Sequence, residues 1–323
     1  MKPKVFVTRP LPAAAVERLL AQCEAAVYPH DASIPPEQLA EACRDVDGLL
    51  VAGARVREEL LAQAPRLRVV SNVGAGYDHI DVEACTRRRI VVTNTPEAVT
   101  EATADCAFAL LMAVARRVVE GDRYVREGRW DRWQWELLWG ADIHHQTLGL
   151  YGFGRIGQTM ARRARGFSLR VLYSARRRAP EALERELAAQ YVDAETLLRE
   201  SDFLSLHVPY SSELHHLIGA PQLELMKPTA FLINTARGKV VDEEALFRAL
   251  QAKKLAGAAL DVFEHEPRVP PELLKMSNVV LLPHIGSATA ATRLRMALDA
   301  VENLLAALAG QRPANVVNPE VLK

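Results

Sequence analysis

The sequence predicts an α/β protein built from two doubly wound parallel sheets, and three observations carry that reading. Short β-branched runs alternate with longer helical patterns along almost the whole chain. The candidate strands are nearly continuously apolar, as strands covered by helices on both faces must be. With 323 residues the chain is long enough for two separate cores.

Residues 4–8, 48–51, 68–73 and 90–94 read as strands of a first sheet. Residues 148–152, 171–174, 203–208, 231–235, 258–262 and 279–283 read as a second series. Two long helical stretches interrupt the alternation. One covers 97–120, introduced by Pro96 and stopped by Gly121, and the other covers 288–309. Helices flanking a complete set of strands indicate a discontinuous arrangement. Residues 1–98 and 290–323 are expected to form one domain, with 99–289 inserted as the other.

Composition narrows the function classes. Forty Lys and Arg balance forty Asp and Glu, so no nucleic-acid or membrane-surface partner follows from global charge. Cys23, Cys43, Cys85 and Cys106 are scattered without a Cys-x-x-Cys pair, which argues against a disulfide framework or a zinc site and suits a reducing cytosol. No metal is expected. The N-terminus opens directly into the strand-like Val5–Thr8 with no apolar leader, and the longest apolar run, 106–115, is short for a bilayer. The expected location is the cytoplasm.

The strongest local signal is Gly152-Phe153-Gly154-Arg155-Ile156-Gly157, which follows an apolar strand and opens a helical pattern over 158–165. That context separates a dinucleotide loop from an ordinary glycine turn. Gly152 permits the tight turn, Gly154 lets backbone approach a pyrophosphate, and Gly157 lets helix pack on strand. A reader of the ribose 2′-hydroxyl should follow about 20 residues later as Asp or Glu. Between Gly157 and Glu181 there is no carboxylate; Ser174, Arg176 and Arg177 stand there instead. Guanidinium groups bind phosphate bidentately, so NADP(H) is preferred over NAD(H), the alternative being a solvated basic turn.

Three further residues stand after apolar strands. Arg237, in Asn234-Thr235-Ala236-Arg237-Gly238, offers a fork of donors for a carboxylate and a carbonyl. His284, in Pro283-His284-Ile285-Gly286, can give or take a proton near neutral pH. Glu266, in Glu264-His265-Glu266-Pro267, is suited to hold that imidazole. Singly each has a dull reading as a surface group. Their convergence beyond strand ends, with the glycine loop, makes a 2-oxo acid and a nicotinamide cofactor the expected ligands.

With these residues in view, the chain resembles the D-isomer-specific 2-hydroxyacid dehydrogenases, and within them is similar to the glyoxylate/hydroxypyruvate reductases, including bacterial 2-ketogluconate reductases. The likeness is carried by Val73-Gly74-Ala75-Gly76-Tyr77-Asp78-His79-Ile80-Asp81, the glycine loop, His207-Val208-Pro209, 234–238, 260–267 and 283–289. It implies a Rossmann domain inserted into a flavodoxin-like substrate domain. It implies Arg237 as the substrate-orienting cation, Glu266 as the tuning partner and His284 as acid/base. Asp261, Thr235 and Ala236 would hold the nicotinamide, with Thr103 and Gly286 close by, and Val208 and Pro209 would lie along the adenosine. Backbone amides around Val73, Gly74 and Ala75 would grip the substrate carboxylate. A homodimer is also implied, with Trp139 where an aromatic can reach the neighbour's site.

The resemblance leaves rivals. Phosphoglycerate dehydrogenases share the fold but often carry a further regulatory domain, and formate dehydrogenases of similar fold carry Gln where Glu266 stands. A non-catalytic dinucleotide sensor that binds proteins is the alternative from another class.

Overall fold

The computed structural model describes residues 2–322. The chain divides into two compact units, Met1–Val99 with Ser287–Lys323, and Thr100–Gly286.

The first unit is built on five parallel strands: β1 (Lys4–Val7), β2 (Glu24–Val27), β3 (Gly48–Val51), β4 (Val69–Asn72) and β5 (Val91–Thr93). Their order is β2-β1-β3-β4-β5. One sheet face packs on the Ala290–Leu308 helix, whose buried stripe Ala297, Ala300, Val301 and Leu304 joins Val5, Val7, Leu50 and Val69 in one core. Gly48 makes this approach possible, because a Cβ there would sit 3.2 Å from Leu304 Cδ1. Burying a leucine such as Leu304 contributes about 1.5–3 kcal/mol.

The second unit holds seven parallel strands: β6 (Thr147–Tyr151), β7 (Arg170–Ser174), β8 (Ala189–Tyr191), β9 (Phe203–Leu206), β10 (Phe231–Asn234), β11 (Gly257–Leu260) and β12 (Val279–Leu281). Their order is β12-β11-β10-β9-β6-β7-β8, so the chain reverses its winding between β6 and β9. This switch point is where open α/β sheets leave a crevice for a ligand. The register aligns the strand ends: Tyr151 pairs with Ser174 and Leu206, Asn234 with Leu206 and Leu260, and Leu260 with Leu281. The residues that follow each strand therefore share one rim.

The fold class read from the sequence stands: both sheets are parallel, and all ten expected strands form. Two further strands, β2 and β8, were not anticipated; both lie at sheet edges. The expected helix over 97–120 is in fact two, Pro96–Ala115 and Val118–Arg126. Arg117 breaks it in a left-handed conformation, φ 52°, and Gly121 lies inside the second helix rather than ending it. The Pro96–Ala115 helix is, by length and composition, apolar enough to cross a membrane, which the 106–115 run alone did not reveal. More than half of its apolar window, 56%, is buried within the protein, with Ala104, Ala107, Phe108, Leu111 and Val114 in one core cluster with Leu148, Leu150, Val171 and Tyr173.

Candidate active site

The glycine loop turns directly out of β6. Gly152 has φ 97°, a conformation that side chains resist, and a Cβ there would lie 2.6 Å from the His207 carbonyl oxygen. The loop is thus clamped against the end of β9 at the switch point. Gly157 is equally confined, with a Cβ position 2.4 Å from the Gly152 oxygen, whereas the Cβ position of Gly154 meets nothing within 4 Å. Gly154 precedes the Arg155–Ala164 helix, and a helix N-terminus turns its first amides and the positive end of its dipole toward an anion. A second trace of a missing partner is Thr235, after β10, whose hydroxyl is buried without a hydrogen-bond partner. A dinucleotide fits these features.

At the end of β7, Ser174 is buried and its carbonyl receives the Gly152 amide at 2.8 Å. The three arginines that follow are not equivalent. Arg178 is spent on Glu184, at 2.8 and 2.9 Å. Glu184 also accepts from Tyr173 at 2.6 Å, and together Arg178 and Tyr173 hold its carboxyl down to about 2. Arg176 and Arg177 are exposed and have no partner among the described residues. The sequence reading named Arg176 and Arg177 alone, and the Glu184 bond sets Arg178 apart from them.

Arg237 sits on a turn shaped by Asn234, a residue whose role its type alone does not reveal. Asn234 Oδ1 accepts the Ala236 amide at 3.0 Å and its Nδ2 donates to the Arg237 carbonyl at 2.9 Å. The turn then runs flush against the Glu266 segment, since a Cβ on Gly238 would fall 1.8 Å from the Phe263 carbonyl carbon. Phe263 donates its amide to Glu266 Oε1 at 3.0 Å, and the other oxygen, Oε2, takes His284 Nδ1 at 2.8 Å. An ionised carboxylate only accepts, so Nδ1 carries the proton of that bond and Nε2 is the ring nitrogen without a partner among the described residues. Burial alone would raise the Glu266 carboxyl. The His284 bond and charge, the Phe263 amide and the Arg237 charge outweigh it and hold the carboxyl below its ordinary value.

His284 has φ 55°, in the left-handed region. Asp261 keeps it there: its carbonyl accepts the His284 amide at 2.8 Å, and its two carboxylate oxygens accept Ile285 and Gly286 amides at 2.7 Å each. Burial raises the Asp261 carboxyl, with the two amides opposing. Thr103 is buried beside this turn, its Cγ2 3.6 Å from where a Gly286 Cβ would be.

Glu264 does not join Glu266. It pairs with His216 Nε2 at 3.0 Å. His215, His216 and Glu264 place three candidate ligand atoms within 4.8 Å, but the two imidazoles stack at 3.9 Å and 23°, so their lone pairs lie in separate planes and do not converge. His207 bonds Ser205 Oγ at 2.9 Å, and burial pushes its imidazole down to about 3. Val208 is half-buried and Pro209 exposed just beyond. Trp139 is 62% exposed and donates to the Trp135 carbonyl at 2.6 Å.

In the first unit the loop after β4 carries Val73, Gly74 and Ala75. The Val73 amide is committed to the Val51 carbonyl at 2.8 Å and is not available to a ligand. The amides of Gly74 and Ala75 donate to no protein group among the described residues.

A glycine loop at a switch point, with an imidazole–carboxylate pair and a guanidinium on the same rim, defines an enzyme of the dinucleotide-dependent oxidoreductase class. Comparison with known proteins gives the family. The profile described as D-isomer specific 2-hydroxyacid dehydrogenase, NAD binding domain, matches residues 108–286. The chain is 50% identical to the glyoxylate reductase of Thermococcus gammatolerans, over 100% of this chain and 98% of that one. It is likewise 50% identical to the glyoxylate reductase of Pyrococcus furiosus, over 100% and 97%. Among solved structures it is similar to an NADPH-dependent glyoxylate/hydroxypyruvate reductase from Sinorhizobium meliloti, in complex with NADP and malonate. The TM-score is 0.88 at 35% identity, covering 98% of this chain and 97% of that one. The chain belongs to the D-isomer specific 2-hydroxyacid dehydrogenase family.

Proposed function

We propose that this enzyme reduces glyoxylate and hydroxypyruvate, with 2-ketogluconate as a further candidate substrate, to the corresponding D-2-hydroxy acid, and that it prefers NADPH to NADH. Residues 1–98 and 290–323 serve as the substrate domain and 99–289 as the dinucleotide domain. The observation that carries the reading is the 2.8 Å bond between His284 and Glu266 at the rim that bears the glycine loop.

The bound dinucleotide supplies a hydride for carbon 2 of the 2-oxo acid. Gly152, Gly154 and Gly157, with the amides of Phe153, Arg155 and Ile156, would receive the pyrophosphate. Thr235, Ala236, Asp261, Thr103 and Gly286 would hold the nicotinamide, and His207, Val208 and Pro209 would border the adenosine. Arg237 holds the substrate carboxylate and polarises the carbonyl. His284 gives its Nε2 proton to the carbonyl oxygen of the substrate, and Glu266 holds the opposite nitrogen throughout. The amides of Gly74 and Ala75 would receive the carboxylate, the Val73 amide being committed to Val51.

Support for NADPH comes from Arg176 and Arg177, exposed just beyond β7 and bonded to no carboxylate among the described residues. Support for a homodimer comes from Trp130, Trp133, Trp135 and Trp139, each more than half exposed, as are Val118 and Val125. Four unpaired cysteines suit a cytoplasmic location. The test is a kinetic panel of glyoxylate, hydroxypyruvate and 2-ketogluconate with each cofactor. Turnover of glyoxylate or hydroxypyruvate, faster with NADPH, is expected; absence of turnover across the panel contradicts the reading.

A further inference from the structure

The loop that follows β4 is organised by two asparagines. Asn72, the last residue of β4, is 1% exposed, and its Nδ2 donates to both the Gly74 and the Gly76 carbonyls at 3.0 Å. Its Oδ1 meets His79 Nε2 at 3.1 Å. The orientation of this side-chain amide is unambiguous, because carbonyl oxygens only accept; His79 Nε2 must then be the donor to Oδ1. Asn94, just beyond β5, donates its Nδ2 to the Ala75 carbonyl at 2.7 Å, and the Thr95 amide adds a second bond to the Gly74 carbonyl at 2.9 Å. Three successive carbonyls are thereby drawn toward the protein.

The consequence follows from peptide planarity. In a trans peptide the carbonyl of one residue and the amide N–H of the next point in opposite directions. Fixing the carbonyls of Gly74, Ala75 and Gly76 on asparagine and backbone donors turns the N–H groups of Ala75, Gly76 and Tyr77 the other way. None of these three amides donates to a protein group among the described residues. Consecutive outward amides of this kind form a concavity for an anion.

We propose that Asn72 and Asn94 are positioning residues for the substrate carboxylate, holding the loop so that the amides of Ala75, Gly76 and Tyr77 form the face that receives it. The inference rests on the 2-oxo acid reductase reading and sharpens it: the donor set moves one to two residues along the chain from Val73, and the asparagines never touch substrate.

The test measures the carboxylate grip apart from turnover, by calorimetric titration of the NADPH-saturated enzyme with oxalate. Asn72→Asp keeps the volume and the bond from His79 but cannot donate to two carbonyls, while Asn94→Ala removes one donor at a more open position. For Asn72→Asp the expected result is about tenfold or more weaker oxalate binding and an equal rise in the KM for glyoxylate, with the KM for NADPH unchanged. Asn94→Ala should weaken both by about threefold. If Asn72→Asp does not fold, Asn94→Ala decides alone. Oxalate affinity equal to that of the parent in the folded variants overturns the inference, as does a parent that turns over glyoxylate yet binds no oxalate. A parent that binds oxalate, loses it on these substitutions, and reduces no 2-oxo acid would uphold the amide face and reject the reductase reading.

Discussion

Asp261 and His284 are joined through backbone as well as side chain: the Asp261 carbonyl takes the His284 amide at 2.8 Å, while its carboxylate takes the next two amides at 2.7 Å each. A histidine at φ 55° is held against its own preference by these three bonds. Asp261→Asn has one oxygen for the Ile285 and Gly286 amides, the second of them buried, and presents an NH2 group to the other. The variant should lose about 2 kcal/mol of stability in chemical denaturation, and kcat should fall because the imidazole is no longer fixed.

Arg176 and Arg177 should set cofactor choice, and Arg178 should not. Replacing Arg176 or Arg177 with Ala should raise the KM for NADPH roughly ten- to a hundredfold and leave the KM for NADH nearly unchanged, since only the 2′-phosphate loses a charged partner. Unchanged use of NADPH in the double variant would refute the assignment.

The turn that carries Arg237 and the segment that carries Glu266 touch through Gly238 and the Phe263 backbone. Backbone cannot yield as a side chain can. Gly238→Ala should therefore cost about 3 kcal/mol, measured by urea denaturation, and should lower activity even where enough folded enzyme remains.

His207 predicts an acid limit to stability. Burial holds its folded value near 3, against an ordinary 6.5. Above pH 6.5 neither the folded nor the unfolded chain protonates it, and it costs nothing. As pH falls below 6.5 the unfolded chain takes up a proton that the folded chain refuses, so stability drops by up to about 1.4 kcal/mol per pH unit. Between pH 6.5 and 5, above the range of ordinary carboxylates, denaturation of His207→Gln beside the parent isolates this slope. The variant should be flatter.

Much of the architecture was legible because buried parallel strands announce themselves as apolar runs. The two that escaped are edge strands: β2 reads Glu-Ala-Ala-Val with alternating exposure, and β8 has only three residues, two of them exposed. An edge strand needs no continuous apolar run. The break at Arg117 was hidden because the apolar pattern continues past a residue whose backbone, not its side chain, ends the helix. At the site, residue types that carry charge were readable, and residues that shape backbone were not. Asn72, Asn94 and Asn234 act through carbonyls and amides several residues away, and a sequence gives no sign of which carbonyl a side chain will capture. Likewise Glu264 and Glu266 are indistinguishable until their partners, His216 and His284, come into place.

The central claim is that the imidazole bound to Glu266 delivers the proton. Single-turnover reduction of glyoxylate by NADPH, followed at 340 nm for the parent and His284→Ala, tests it most directly. The account predicts a rate lower by about 10²–10⁴-fold with NADPH affinity unchanged. A variant that reduces glyoxylate as fast as the parent would contradict it.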